Sequence, residues 1–113
     1  MELYMYAVRD AKTEVFGQPI FQMSQSQAER SFETALLNPN DPMHQYPEDY
    51  ALFEVGVYDD NNGGLQGLQP RQIITGLEAL RAARLRQQKL DQLQNEIEEI
   101  KNPEVEYILE EIN

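Results

Sequence analysis

The chain has no cysteine. That excludes disulfides, thiolate nucleophiles and cysteine-type zinc sites, and it fits a reducing compartment. Histidine occurs once, as His44. No His-x-x-x-His pair and no Ser-His-Asp grouping is available to it, and beside Pro42 in a polar loop it reads as an exposed loop residue. No run of 18 apolar residues exists, so no transmembrane helix is expected. The opening MELYMYAVRD is too short and too polar for a signal peptide. A soluble cytosolic protein is the simple expectation.

Basic residues are also scarce. Nine Lys and Arg face 20 Asp and Glu over 113 residues, a net charge of −11. Their placement is uneven. Residues 1–70 carry a balance of −8, residues 71–90 a balance of +4, and residues 91–113 a balance of −7. An acidic chain repels nucleic acid at long range. Any phosphate contact must therefore come from a local basic patch, and Arg71, Arg81, Arg84, Arg86 and Lys89 supply the one available. The same arginines suit a solvated helix face equally well.

The length suits one domain with a tail. Residues 2–8 alternate as a strand, with Leu3, Met5 and Ala7 on one face and Tyr4, Tyr6 and Val8 on the other. Residues 15–23 read as extended, with Gly17 and Pro19 breaking the regularity, which suits an edge strand or a bent one. Ser26 and Glu29 have capping-box spacing, followed by Ala28, Phe32, Ala35 and Leu36 on one helical face. The helix should stop near Asn38-Pro39, with a loop over 38–49. Residues 50–58 form the clearest strand, with Phe53, Val55 and Val57 on one side and Leu52, Glu54, Gly56 and Tyr58 on the other. DDNNGG, residues 59–64, is a turn. Short strands are expected over 64–68 and 72–75. A long helix runs from about Leu77 to Lys101, with Leu77 and Leu80 directed at the globular part. Ala79, Ala82 and Ala83 share a side with Leu90, Leu93, Ile97 and Ile100, whose spacing is a coiled-coil seam interrupted by Arg86. Asn102-Pro103 should end it and cap a short helix bearing Val105, Ile108, Leu109 and Ile112.

The expected fold is α+β: a small antiparallel sheet of 3–5 strands with one packed helix over 1–76, then a helical acidic extension over 77–113. That extension should form a coiled coil or helical hairpin and drive oligomerisation through Leu90, Leu93, Ile97 and Ile100, with a dimer favoured. Asp59, Asn61 and Gly64 mimic the start of a calcium loop, but Pro70 stands where the bidentate glutamate belongs, so a hairpin turn is expected. Glu48 and Asp49 beside Pro47 read as a turn rather than a catalytic pair. No cofactor, metal or enzymatic reaction is expected. Tyr4, Tyr6 and Tyr58 have two readings: base-stacking residues on a sheet face, or half-buried packing, since tyrosine favours strands.

Several short motifs occur in a familiar order. They are Leu3-Tyr4, Pro19-Ile20-Phe21, Ser24 followed by Ala28-x-Arg30-x-Phe32, and Pro47-Glu48-Asp49-Tyr50-x-Leu52-Phe53-x-Val55-Gly56 with Asp59 after it. In this, roughly residues 1–75 resemble the small nonstructural DNA-binding proteins of gokushovirus-like microviruses, phages with single-stranded DNA. Residues 77–113 lie outside the resemblance. It implies a non-enzymatic protein of the infected bacterial cytoplasm that assists viral genome replication or packaging. Arg30 is the one basic residue inside a matching motif. The resulting expectation is sequence-tolerant binding of single-stranded DNA, with Tyr4, Tyr6 and Tyr58 stacking bases and Arg30, Arg71, Arg81, Arg84 and Lys89 meeting phosphates. The alternative is an oligomeric interaction module that binds a basic viral or host replication protein, or a capsid partner, without touching DNA. No membrane partner is expected.

Overall fold

The computed structural model describes residues 1–101. The expected short helix, with Val105, Ile108, Leu109 and Ile112, lies outside the described residues, as does the expected hairpin. The chain divides into two compact units, one spanning Met1–Arg81 and a second beginning at Ala82.

The first unit is an antiparallel sheet with one long helix laid on it. The strands are β1 (Glu2–Asp10), β2 (Val15–Phe16), β3 (Ile20–Gln22), β4 (Tyr50–Asp59) and β5 (Gly64–Thr75). Their order is β2-β1-β4-β5, and β3 pairs with β1 alongside β2. The bent edge strand is therefore present as two short pieces. Gly17 lies between them, its N–H donating to the Val8 carbonyl at 2.8 Å. At the other edge, the two strands expected over 64–75 are one strand. Pro70 sits where the β4–β5 register slips, between the Glu54–Arg71 and Gly56–Gly67 pairs. An edge strand tolerates such a proline because its missing N–H costs the ladder nothing on the open side.

The α1 helix (Gln25–Leu37) is capped by Ser24, two residues ahead of the expected position. The Ser24 hydroxyl accepts from the Gln27 N–H at 3.3 Å, and Gln27 Oε1 accepts from the Met23 N–H at 3.2 Å. Ser24 with Gln27 is thus the working box; Glu29 instead accepts from the Gln25 amide. Ala28, Phe32 and Leu36 are buried, as their spacing predicts. They meet Tyr6, Leu52 and Ala79 in a single core, flanked by Tyr4, Val8, Ile73, Ile74 and Leu80.

The segment expected as a loop contains a short helix, α2 (Pro42–Gln45), and a 3₁₀ turn over Pro47–Asp49. Asp41 caps α2 through the Met43 N–H at 2.9 Å. The His44 Nδ1–H donates to the Leu36 carbonyl at 2.8 Å, satisfying one of the orphan groups at the end of α1. The turn after β4 is built by Asp59, which accepts from the Asn61 N–H, and Asn62, which accepts from the Gly64 N–H. Gly63 there has φ +73°, a conformation side chains resist.

One register shift matters most. Met5 pairs with Gly56 and Tyr6 with Glu54, so Val55 is an extra residue in β4. Strict alternation along 50–58 therefore fails. Leu52 and Glu54 share the helix side with Val8 and Tyr6, and Val57 joins Tyr4 there. Phe53 pairs with Ala7 on the opposite side, so Phe53, Val55 and Val57 do not form one core face.

The α3 helix (Gly76–Ile100) starts from Thr75, whose hydroxyl accepts from the Glu78 N–H at 3.1 Å and donates to the Glu78 carboxylate at 3.0 Å. Ala79 is buried in the core, not on the coiled-coil seam. Leu80 packs beside it, while Leu77 is 50% exposed and does not. In the second unit Leu85, Leu90, Leu93, Ile97 and Ile100 are all exposed. Among the described residues no helix is long and apolar enough to cross a membrane.

Candidate nucleic-acid interface

The sheet has two unlike faces. One receives α1 and the start of α3, which bury Tyr6 and Leu52. The other takes the alternate side chains: Leu3, Met5, Ala7 and Arg9 of β1, Phe53 and Tyr58 of β4, Phe16 of β2 and Phe21 of β3.

This second face is aromatic and open. Phe16 and Phe53 meet edge to face, with ring centroids 5.2 Å apart and planes at 81°. Phe21 and Tyr58 lie 5.4 Å apart at 54°. Phe21 is 49% exposed and Phe16 37%. Leu65, paired with Tyr58 across β4–β5, is also exposed. Exposed aromatic rings on a sheet surface are a kind of platform on which unpaired bases can stack.

The three tyrosines singled out from the sequence do not share a face. Tyr58 stands on the open side. Tyr4 and Tyr6 point toward α1, and Tyr6 is 2% exposed. A core ring of that kind has no surface for a base. Burial raises the Tyr6 hydroxyl above the ordinary tyrosine range, and the neighbouring Glu54 carboxylate pushes the same way.

The basic residues are also divided. Arg71 is on the helix side of β5, ion-paired with Glu54 and donating to Gln25 of α1 at 3.2 Å. It ties strand to helix. Arg30 is exposed on α1, across the sheet from the rings. Arg81 is exposed on α3, and Arg84 and Lys89 are exposed in the second unit. Among the described strand residues, the cation on the aromatic face is Arg9, which the sequence reading passed over. A shallow cleft of about 170 Å³ is lined by Arg9, Phe53 and Gln72 together with Glu48, Asp49 and Tyr50. The Tyr50 hydroxyl is raised by burial, then by the Asp10, Asp49 and Asp41 charges.

Phe16, Phe21 and Phe53 are therefore the ring residues that sequence reasoning missed. The signal for Phe16 and Phe21 was present in their places on an edge strand. The signal for Phe53 was hidden by the bulge. Glu48 and Asp49 stay in the 3₁₀ turn, where the Asp49 carbonyl accepts from the Ala11 N–H at 2.8 Å. Among the described residues no three His, Cys, Asp or Glu side chains gather as a metal site.

The profile of a family described as Phage ORF5 protein matches residues 3–79, more than half of the 113-residue chain. No curated protein and no solved structure matches.

Proposed function

The chain belongs to the Phage ORF5 protein family, and on that premise we propose that it is a nonstructural phage protein that binds single-stranded DNA without strong sequence preference. It would hold viral DNA during genome replication or packaging in the cytoplasm of the host bacterium, as the resemblance to the gokushovirus-like microvirus proteins implies. No reaction is assigned to it. The observation that carries the proposal is the pair of ring contacts, Phe16–Phe53 and Phe21–Tyr58, on the open face. Stacking accepts any base, since every base has a π face. Arg9 would meet a phosphate there. Arg71 is already engaged by Glu54, so its share is small.

Fluorescence anisotropy of a labelled oligonucleotide tests this directly. Saturable binding at low salt that weakens in Phe21→Ala and Phe53→Ala is expected. No binding at low salt by the full chain would sink the proposal.

A second reading is favoured by the charge. A net −11 suits a basic protein partner, such as a replication initiator or capsid precursor, better than DNA. Under that reading the aromatic face is a protein-docking surface, and oligonucleotide would fail to compete with the partner.

A further inference from the structure

The second unit carries a stripe that water does not favour. Leu90, Leu93 and Ile97 are 54%, 54% and 49% exposed, and Ile100 is 72% exposed. Their 3, 4, 3 spacing brings them to one side of α3. A contiguous apolar stripe of this kind marks an interface. Its flanking charge shows what covers it. Residues 82–89 carry Arg84, Arg86 and Lys89 and no acid, whereas residues 91–101 carry Asp91, Glu96, Glu98 and Glu99 against Lys101.

We infer that α3 pairs through this stripe with α3 of a second copy, running antiparallel. A parallel pair would set the basic half against the basic half and the acidic half against the acidic half. Reversal sets each basic half against an acidic one. In the register that places Leu90 opposite Leu93 of the other copy, Ile97 meets Arg86 and Ile100 meets Ala83. Lys89 of each chain then lies beside Glu96 of the other, twice by symmetry. Arg86, which interrupts the stripe, falls next to the same Glu96. The inference stands independently of DNA binding.

Light scattering on the full chain across a concentration series tests it. The wild type should show a dimer mass that falls on dilution. Leu93→Asp should be monomeric with the near-ultraviolet aromatic signal of the first unit unchanged. Lys89→Glu and Glu96→Lys should each weaken dimerisation about fivefold, the scale of two exposed pairs reversed in sign. The double swap should restore it. A parallel pair behaves differently, because Glu96 would then approach Lys101 of the other chain and Lys89 the uncharged Gln94: Lys89→Glu would change little, Glu96→Lys would weaken pairing, and the double swap would be no better than Glu96→Lys. That outcome overturns the antiparallel register, as does insensitivity to both single swaps. A monomeric wild type at every concentration would mean the stripe is covered within one chain. A dimer that survives Leu93→Asp would place the interface elsewhere. Either result overturns the inference.

Discussion

The edge of one phenyl ring meets the face of another where Phe16 and Phe53 approach, with centroids 5.2 Å apart. They come from β2 and β4, on opposite sides of β1, and reach across it on the open face. Ala7 lies between those strands, paired with Phe53 and buried. A small residue there lets the two rings come together.

The first expectation concerns that ring pair. Base stacking on an aromatic ring is worth about 1–3 kcal/mol per base, or roughly 5- to 150-fold in affinity. Phe53→Ala and Phe21→Ala should each lose oligonucleotide affinity on that scale in anisotropy titrations. Arg30→Ala, across the sheet, should change it less than about threefold. Equal losses from all three would remove the open face as the binding surface.

Salt dependence separates stacking from phosphate contact. For single strands the slope of log affinity against log salt is about −0.7 per neutralised phosphate. With Arg9 as the cation on the aromatic face, a slope shallower than about −1.5 is expected. A slope near −3 would shift the work to Arg81, Arg84 and Lys89. Titrations of Arg9→Gln and Arg84→Gln at several salt concentrations would identify which residues set the slope.

Gly76 has no room for a side chain. A Cβ there would lie 2.1 Å from the Pro47 carbonyl oxygen and 3.2 Å from that of Tyr50, both backbone atoms that cannot swing aside. Gly76→Ala should destabilise the fold by about 2–4 kcal/mol. Gly67→Ala is the control, since nothing lies within 4 Å of its Cβ position. Urea midpoints of the two variants should differ clearly, and equal midpoints would contradict the close approach.

The raised Tyr6 hydroxyl gives a pH effect with a definite sign. Its ordinary value is 10.0 and the folded value is higher. Just above pH 10 the unfolded chain sheds this proton while the folded chain keeps it, so stability is full below that range and falls as pH rises through it. Tyr50 acts in the same direction. Urea midpoints at pH 8 and pH 10.5 should show the decline, and Tyr6→Phe should make it smaller. An unchanged decline in the variant would assign the effect elsewhere.

How much of this was legible in the sequence depended on local rules. Alternation in 2–8 and 3.6-residue spacing in 28–36 are set by neighbours along the chain, and the structure follows both. The broken edge strand followed from Gly17 and Pro19 for the same reason. Ser26 was read as the cap of α1, but Ser24 caps it, because there Gln27 reaches back to the Met23 N–H. Thr75 and Glu78 also have capping-box spacing, which the sequence reading did not use to place the start of α3. Pairing of distant strands was not legible. The Val55 bulge arises between β1 and β4, and the fate of Arg71 is decided by Glu54, 17 residues away. The candidate site depends on such pairings, so strict alternation along 50–58 put Phe53 and Tyr58 on opposite sides, whereas the bulge brings them to one face.

That bulge has a further reach. Phe53 and Tyr58 are five positions apart, an odd spacing that puts two residues of a regular strand on opposite surfaces. Val55 is the surplus residue that makes the count even. Deleting it would turn one aromatic ring inward against α1 or force the other out of pairing with Leu3. The aromatic surface of this protein is thus a matter of parity, held by a single amino acid that need not touch anything bound there.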